Sequence, residues 1–160
     1  MFDFLKKKKN EIEINMPLQG KVVAIEEVPD PVFAGKMVGD GFAVQPQSGI
    51  LDVVSPVNGE LSMVFDTGHA FGVKMPNGFE VLVHLGIDTV QLEGQGYEIL
   101  KQQGESVKTG DVIVRMDVDK IRELGKDPIT PVIFTNSDMV EEVHPVLGAA
   151  EGVVCTVKLK

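Results

Sequence analysis

Nine short strand-forming runs, each halted by a turn signal within a few positions, leave this chain little choice but a sheet. They are KVVAIEEV (21–28), GFAVQP (41–46), ILDVV (50–54), ELSMVF (60–65), AFGVKM (70–75), FEVLVHL (79–85), DVIVRM (111–116), PVIFT (131–135) and GVVCTVKL (152–159). Most are rich in β-branched residues, several alternate apolar with polar, and GDG, QSG, VNG and PNG separate them. Short strands at such regular spacing predict an all-β sandwich or barrel. Helical signals are few. DKIREL (119–124) carries Ile121 and Leu124 three apart and stops at Gly125; Asp138–Glu141 has the form of a capping box, ended by His144-Pro145. Both predict only single turns or short helices decorating a sheet protein.

A weak internal echo accompanies the strands. Pro17-Leu-Gln-Gly20-Lys-Val22 recurs as Pro56-Val-Asn-Gly59-Glu-Leu61, and Met37-Val-Gly-Asp40 resembles Lys108-Thr-Gly-Asp111. The two spacings, 39 and 71 residues, differ. That excludes a solenoid array but suits a sandwich whose halves reuse one strand–turn–strand unit.

At 160 residues the chain is long enough for a real core and is expected to form one domain, residues 14–160, behind a flexible tail at 1–13. A net charge of −9 argues against nucleic acid, whose phosphates need a basic footprint, and suits a partner with a basic patch. Cys155 is the only cysteine, so neither a disulfide framework nor a cysteine metal knuckle is expected. In MFDFLKKKKN the aromatics precede the lysines, the reverse of a signal peptide, and no run approaches the ~20 apolar residues of a membrane span. A cytoplasmic protein is expected, with at most a weak membrane-surface touch by the tail.

The chain has three histidines, and two flank one hairpin: His69 opens the run before the turn MPNG, and His84 lies within the apolar run after it. If the connecting loop has an even number of residues, paired positions add to an odd number, as 69 and 84 do, and the two share a face. An odd loop splits them across the sheet. Three readings follow if they meet. One is a hydrogen-bonded structural pair. Another is a metal site, which needs three or four ligands, while His144 and Cys155 lie far along the chain. The third is nucleophilic: one neutral imidazole attacks phosphorus and the other donates to the phosphoryl oxygens. Thr67, two residues before His69, is placed to fix that ring's tautomer.

The stretch Gly78–Val90 (GFEVLVHLGIDTV) resembles the signature around the phosphorylated histidine of glucose-type enzyme IIA, a component of the phosphoenolpyruvate-dependent sugar phosphotransferase system. Further matches are AIEEVPD (24–30), VFA (32–34), VGDG (38–41), SPVNG (55–59), TGHAF (67–71), VKTGD (107–111) and ITPVI (129–133), spanning about residues 14–160. The resemblance implies an antiparallel β-sandwich of the duplicated hybrid motif type. It implies that His84 is the phosphoacceptor, with His69 as its partner and Thr67 behind His69. It further implies a transferase that takes its phosphoryl group from the carrier protein HPr and passes it to a cysteine on the IIB domain of a sugar permease. No cofactor or magnesium is required. The resemblance leaves room for regulatory targets of the unphosphorylated form, and for a zinc ion that His69 and His84 would hold only with a partner carboxylate completing the site. The docking face is expected to comprise Phe33, Val38, Phe65 and Phe71, with Asp30 and Asp88 near the histidines. Gly68 departs from relatives that carry Asn there, which is expected to free the backbone before His69. With no permease sequence attached, a free-standing form is expected. Two other classes fit poorly. A zinc peptidase on a related sandwich would want further ligands such as HxH, and for a biotinyl or lipoyl carrier the only candidate lysine is Lys74.

Overall fold

The computed structural model describes residues 10–160; the membrane contact expected of the first nine residues lies outside them. Thirteen strands form three antiparallel sheets. The largest contains β2 (Gly20–Ala24), β3 (Asp40–Pro46), β11 (Thr130–Phe134), β7 (Glu80–His84), β6 (Ala70–Lys74), β5 (Gly59–Val64) and β9 (Ser106–Val107), in that order. Opposite it stand β1 (Glu11–Asn15), β13 (Val153–Leu159) and β12 (Val140–Pro145), and a second trio of β4 (Ile50–Val54), β10 (Val112–Asp117) and β8 (Tyr97–Ile99). Inward side chains from all three sheets share one core: Ile14, Phe42, Val53, Phe71, Val83, Met116, Phe134 and Val157 all belong to it. The molecule is therefore an antiparallel β-sandwich, as its turn-punctuated runs predict. Among the described residues, no helix is long and apolar enough to cross a membrane.

A smaller apolar cluster lies on the other face of the large sheet. Ile25, Val28, Phe33, Ala43, Ile87, Ile129 and Ile133 form it, roofed by a 3-10 turn (Ile25–Glu27) and the short helix α1 (Pro31–Ala34). Asp30 caps α1, its Oδ1 accepting from the Val32 N–H at 2.9 Å, and Pro31 at the first turn needs no such partner. This second cluster explains why the run predicted over 21–28 leaves the strand after Ala24: Ile25 and Val28 turn away to pack under α1. It also explains the unbroken apolar character of β11, which is buried on both faces between β3 and β7.

The internal echo is a structural duplication. The Asn15 N–H donates to the Pro56 carbonyl at 3.0 Å, while the Val54 N–H donates to that of Pro17 at 2.7 Å, an exchange between equivalent positions of the two units. Val22 trades bonds with Gly148 and Ala149, and Leu61 trades them with Gly104 and Glu105. Gly20 and Gly59 each open a strand whose partner crosses so closely that a Cβ would overlap the carbonyl oxygen of Gln45 or Lys74.

One expectation about the fold is corrected: residues 11–13, assigned to the tail, lie in β1 and pair with β13. At Asp138–Glu141 the short turn expected is present as a 3-10 turn (Ser137–Met139), which leads into β12, an edge strand paired with β13. Pro145 is tolerated there because it ends an edge strand. The short helix predicted at 119–124 is present as α2 (Val118–Glu123).

Candidate functional site

The hairpin between the two histidines pairs Lys74 with Glu80 and Ala70 with His84, so five residues form its loop. The loop is odd, and strict alternation would place His69 and His84 on opposite faces. The rings nonetheless meet, with centroids 5.2 Å apart and planes 78° from parallel. His69 escapes the alternation because β6 begins only at Ala70, and because Gly68 just before it takes a left-handed φ of +79°. That glycine is not loose, contrary to the expectation from the sequence. Its N–H donates to the Phe65 carbonyl at 2.8 Å, and a Cβ there would stand 3.0 Å from that of Tyr97. An Asn at this position would press on Tyr97 and Ile99, which would have to give slightly.

The histidines lie in a row of four rings. Phe33 packs on His84 at 5.0 Å and Phe65 stands edge-on to His69 at 4.8 Å. His69 is only 2% exposed, whereas His84 is half-buried at the end of β7. Each ring is held through Nδ1, but by different chemistry. The Nδ1 of His84 lies 2.7 Å from the Gly86 carbonyl oxygen. A carbonyl only accepts, so Nδ1 carries the proton and the lone pair sits on Nε2. The Nδ1 of His69 meets the Thr67 hydroxyl, which can donate or accept.

Both rings are neutral at pH 7. Burial, reinforced by the neighbouring His84, lowers the pKa of His69 to about 4. Burial also lowers that of His84, opposed by the Gly86 carbonyl and by the Asp30 and Asp88 carboxylates. Asp88 holds a left-handed φ of 57° at the turn after β7. Among the described residues, no three His, Cys, Asp or Glu side chains gather into a metal-holding group. His144 lies on β12, where its ring faces Glu142, and Cys155 is buried on β13.

The expected docking residues divide. Phe65 and Val38 are exposed, at 39% and 38%, and Phe33 lies beneath His84. Phe71 is corrected: it is fully buried, pointing from β6 into the main core, and no partner can touch it. Exposed apolar residues that the sequence reading missed, Val32, Met37 and Val90, ride on the same loops as Phe33, Val38 and Asp88. An apolar side chain inside a polar, Pro- or Gly-flanked loop was the signal that could have found them. Gly86 was missed for another reason. It acts through a backbone carbonyl, which no residue type announces.

Two imidazoles, each held through Nδ1 and facing one another on an antiparallel sandwich, define the site. Comparison with known proteins names the chain's family. The family model for the phosphoenolpyruvate-dependent sugar phosphotransferase system, EIIA 1, matches residues 12–140. The chain is 49% identical over 143 residues to the PTS system glucose-specific EIIA component of Bacillus cereus, covering 89% of this chain and 86% of that protein. It is 47% identical over 144 residues to the one of Staphylococcus epidermidis, covering 90% and 86%. The solved structure of glucose permease IIA from Mycoplasma capricolum superposes with a TM-score of 0.82 at 35% identity, covering 96% of this chain and 97% of that one. The chain belongs to the EIIA 1 family, in the glucose-type branch of the sugar phosphotransferase system.

Proposed function

We propose that the protein accepts a phosphoryl group from phospho-HPr on Nε2 of His84 and donates it to a cysteine on the IIB domain of a glucose-type permease, in the cytoplasm. The observation that carries this is the Gly86 carbonyl at 2.7 Å from His84 Nδ1, which leaves the Nε2 lone pair available. In the first transfer an N–P bond forms at Nε2 as the donor's N–P bond breaks. The ring gains positive character, which the Gly86 carbonyl and the Asp30 and Asp88 carboxylates offset. His69 stays neutral and, with the Thr67 hydroxyl donating to Nδ1, presents an Nε2–H to the phosphoryl oxygens. The protein's part is positioning and charge stabilisation, since phosphoryl transfer leaves little covalent work for side chains.

Val32, Met37, Val38, Phe65 and Val90 supply an apolar docking face, and Asp30 and Asp88 attract a basic partner. The two imidazoles also offer half a zinc site that a partner carboxylate would complete, so Zn²⁺ added to the isolated protein should bind far more weakly than nanomolar in titration calorimetry. The central test is incubation with phosphoenolpyruvate, enzyme I and HPr, followed by mass mapping of the phosphate. Label on His84 supports the proposal. Label on His69, or none, overturns it.

A further inference from the structure

The chain's single tyrosine, Tyr97, stands where both histidine segments meet. It opens β8 in the small sheet, opposite Met116 of β10. Its hydroxyl nonetheless reaches the large sheet and donates to the Leu85 carbonyl, one residue past His84. Thr89 donates to the same oxygen at 2.9 Å, and the Leu85 N–H donates to the His69 carbonyl at 2.6 Å. The near end of the tyrosine backs Gly68, the residue before His69, at the close approach described above. One side chain therefore braces the chain on either side of the pair.

Gly86 makes that bracing consequential. It has a φ of +95° and no side chain to limit it, so its own conformation holds its carbonyl loosely. What holds it are the rigid peptide planes on either side. The plane before Gly86 is pinned at the Leu85 oxygen by Tyr97 and Thr89. The plane after it, which carries the Gly86 oxygen, is pinned by the Ile87 N–H donating to Asp127 at 2.9 Å. We propose that Tyr97 is a positioning residue for the histidine pair: by pinning the Leu85–Gly86 peptide from the opposite sheet, it keeps the Gly86 carbonyl on His84 Nδ1 and so fixes which ring nitrogen is free.

The proposal rests on His84 being the nucleophile, and its test keeps the two apart. Wild type, Tyr97→Phe, Thr89→Val and the double variant are compared by ¹⁵N shifts of the His84 ring and by the rate of phosphorylation from phospho-HPr. Phenylalanine fills the same space without the donor, and valine closely matches threonine in shape. Wild-type His84 should carry its proton on Nδ1. Each single variant should mix in the other tautomer and slow phosphorylation by about tenfold, the scale of one lost hydrogen bond. The double variant should go further, and Thr89→Ser, which keeps the hydroxyl, should match wild type. A lower melting temperature with unchanged ring shifts and rate would make Tyr97 merely structural and overturn the proposal. Phosphate found on another residue of the wild type would instead overturn the nucleophile assignment, and the ring shifts would still report whether Tyr97 pins the tautomer.

Discussion

His69 and His84 share a side chain, and their ring centroids are 5.2 Å apart, yet the fold grips them differently. His84 sits at the end of a regular strand, half-buried, with a backbone carbonyl on Nδ1 and two carboxylates nearby to support positive charge. His69 sits just before a strand, almost wholly buried, with a hydroxyl on Nδ1 and another titratable histidine beside it. A carbonyl dictates one tautomer, while a hydroxyl permits either. The comparison teaches how one residue type is given two jobs. In the proposed transfer, His84 would attack and then carry charge, while His69 would remain neutral and donate.

The sharpest way to break this comparison is to remove each ring. His84→Ala should yield no phosphoprotein at all. His69→Ala should still accept phosphate but pass it to the IIB cysteine ~10²–10³ more slowly, the usual cost of one donor lost from developing charge. Rapid-quench assays of each half-reaction would show it, and equal defects in both variants would erase the division of labour.

A smaller effect is expected from Thr67→Val, which strips His69 Nδ1 of its partner. Donation to IIB should fall by about tenfold while acceptance on His84 changes little. Next comes Asp30→Asn with Asp88→Asn. Asn caps a helix as well as Asp and tolerates the left-handed region, so the fold should persist. The His84 pKa should drop further in an NMR titration, because both carboxylates hold it up. Phosphorylation by HPr should slow by roughly tenfold at low salt and lose its salt dependence.

A separate effect is on stability. His69 titrates at about 4 in the folded protein, against an ordinary value of 6.5. Between those values the unfolded chain binds more protons, so the contribution of His69 is full above pH 6.5 and is lost as pH falls towards 4. His84, also lowered, acts in the same direction. Urea unfolding at pH 7 and pH 5 should show the loss, and His69→Gln should flatten it.

Much of this was legible in the sequence. ILDVV at 50–54 forms β4 with the bounds its pattern suggests, because alternation and flanking turns are local properties. β12 was not legible: VEEVHP carries a capping signal and no clean alternation, and it is a strand only because β13 lies beside it. The two- and three-residue strands β9 and β8 are too short to show a period. Phe71 was misplaced because an apolar residue in a strand looks the same whether its face meets the core or a partner.

The sequence by itself determined the sheet, the duplicated unit and the two histidines on one hairpin, since these depend on residue type and on neighbours along the chain. Only the tertiary structure decided how the histidines meet. The odd loop should have parted them, and they come together through the turn at Gly68 and the late start of β6. Tertiary structure likewise decided the tautomer of His84, because the Gly86 carbonyl that sets it is backbone. The peptide plane before that carbonyl is held at the Leu85 oxygen by a tyrosine hydroxyl arriving from the other sheet. A side chain's identity is written along the chain, but the direction of a peptide plane is set by what packs across from it.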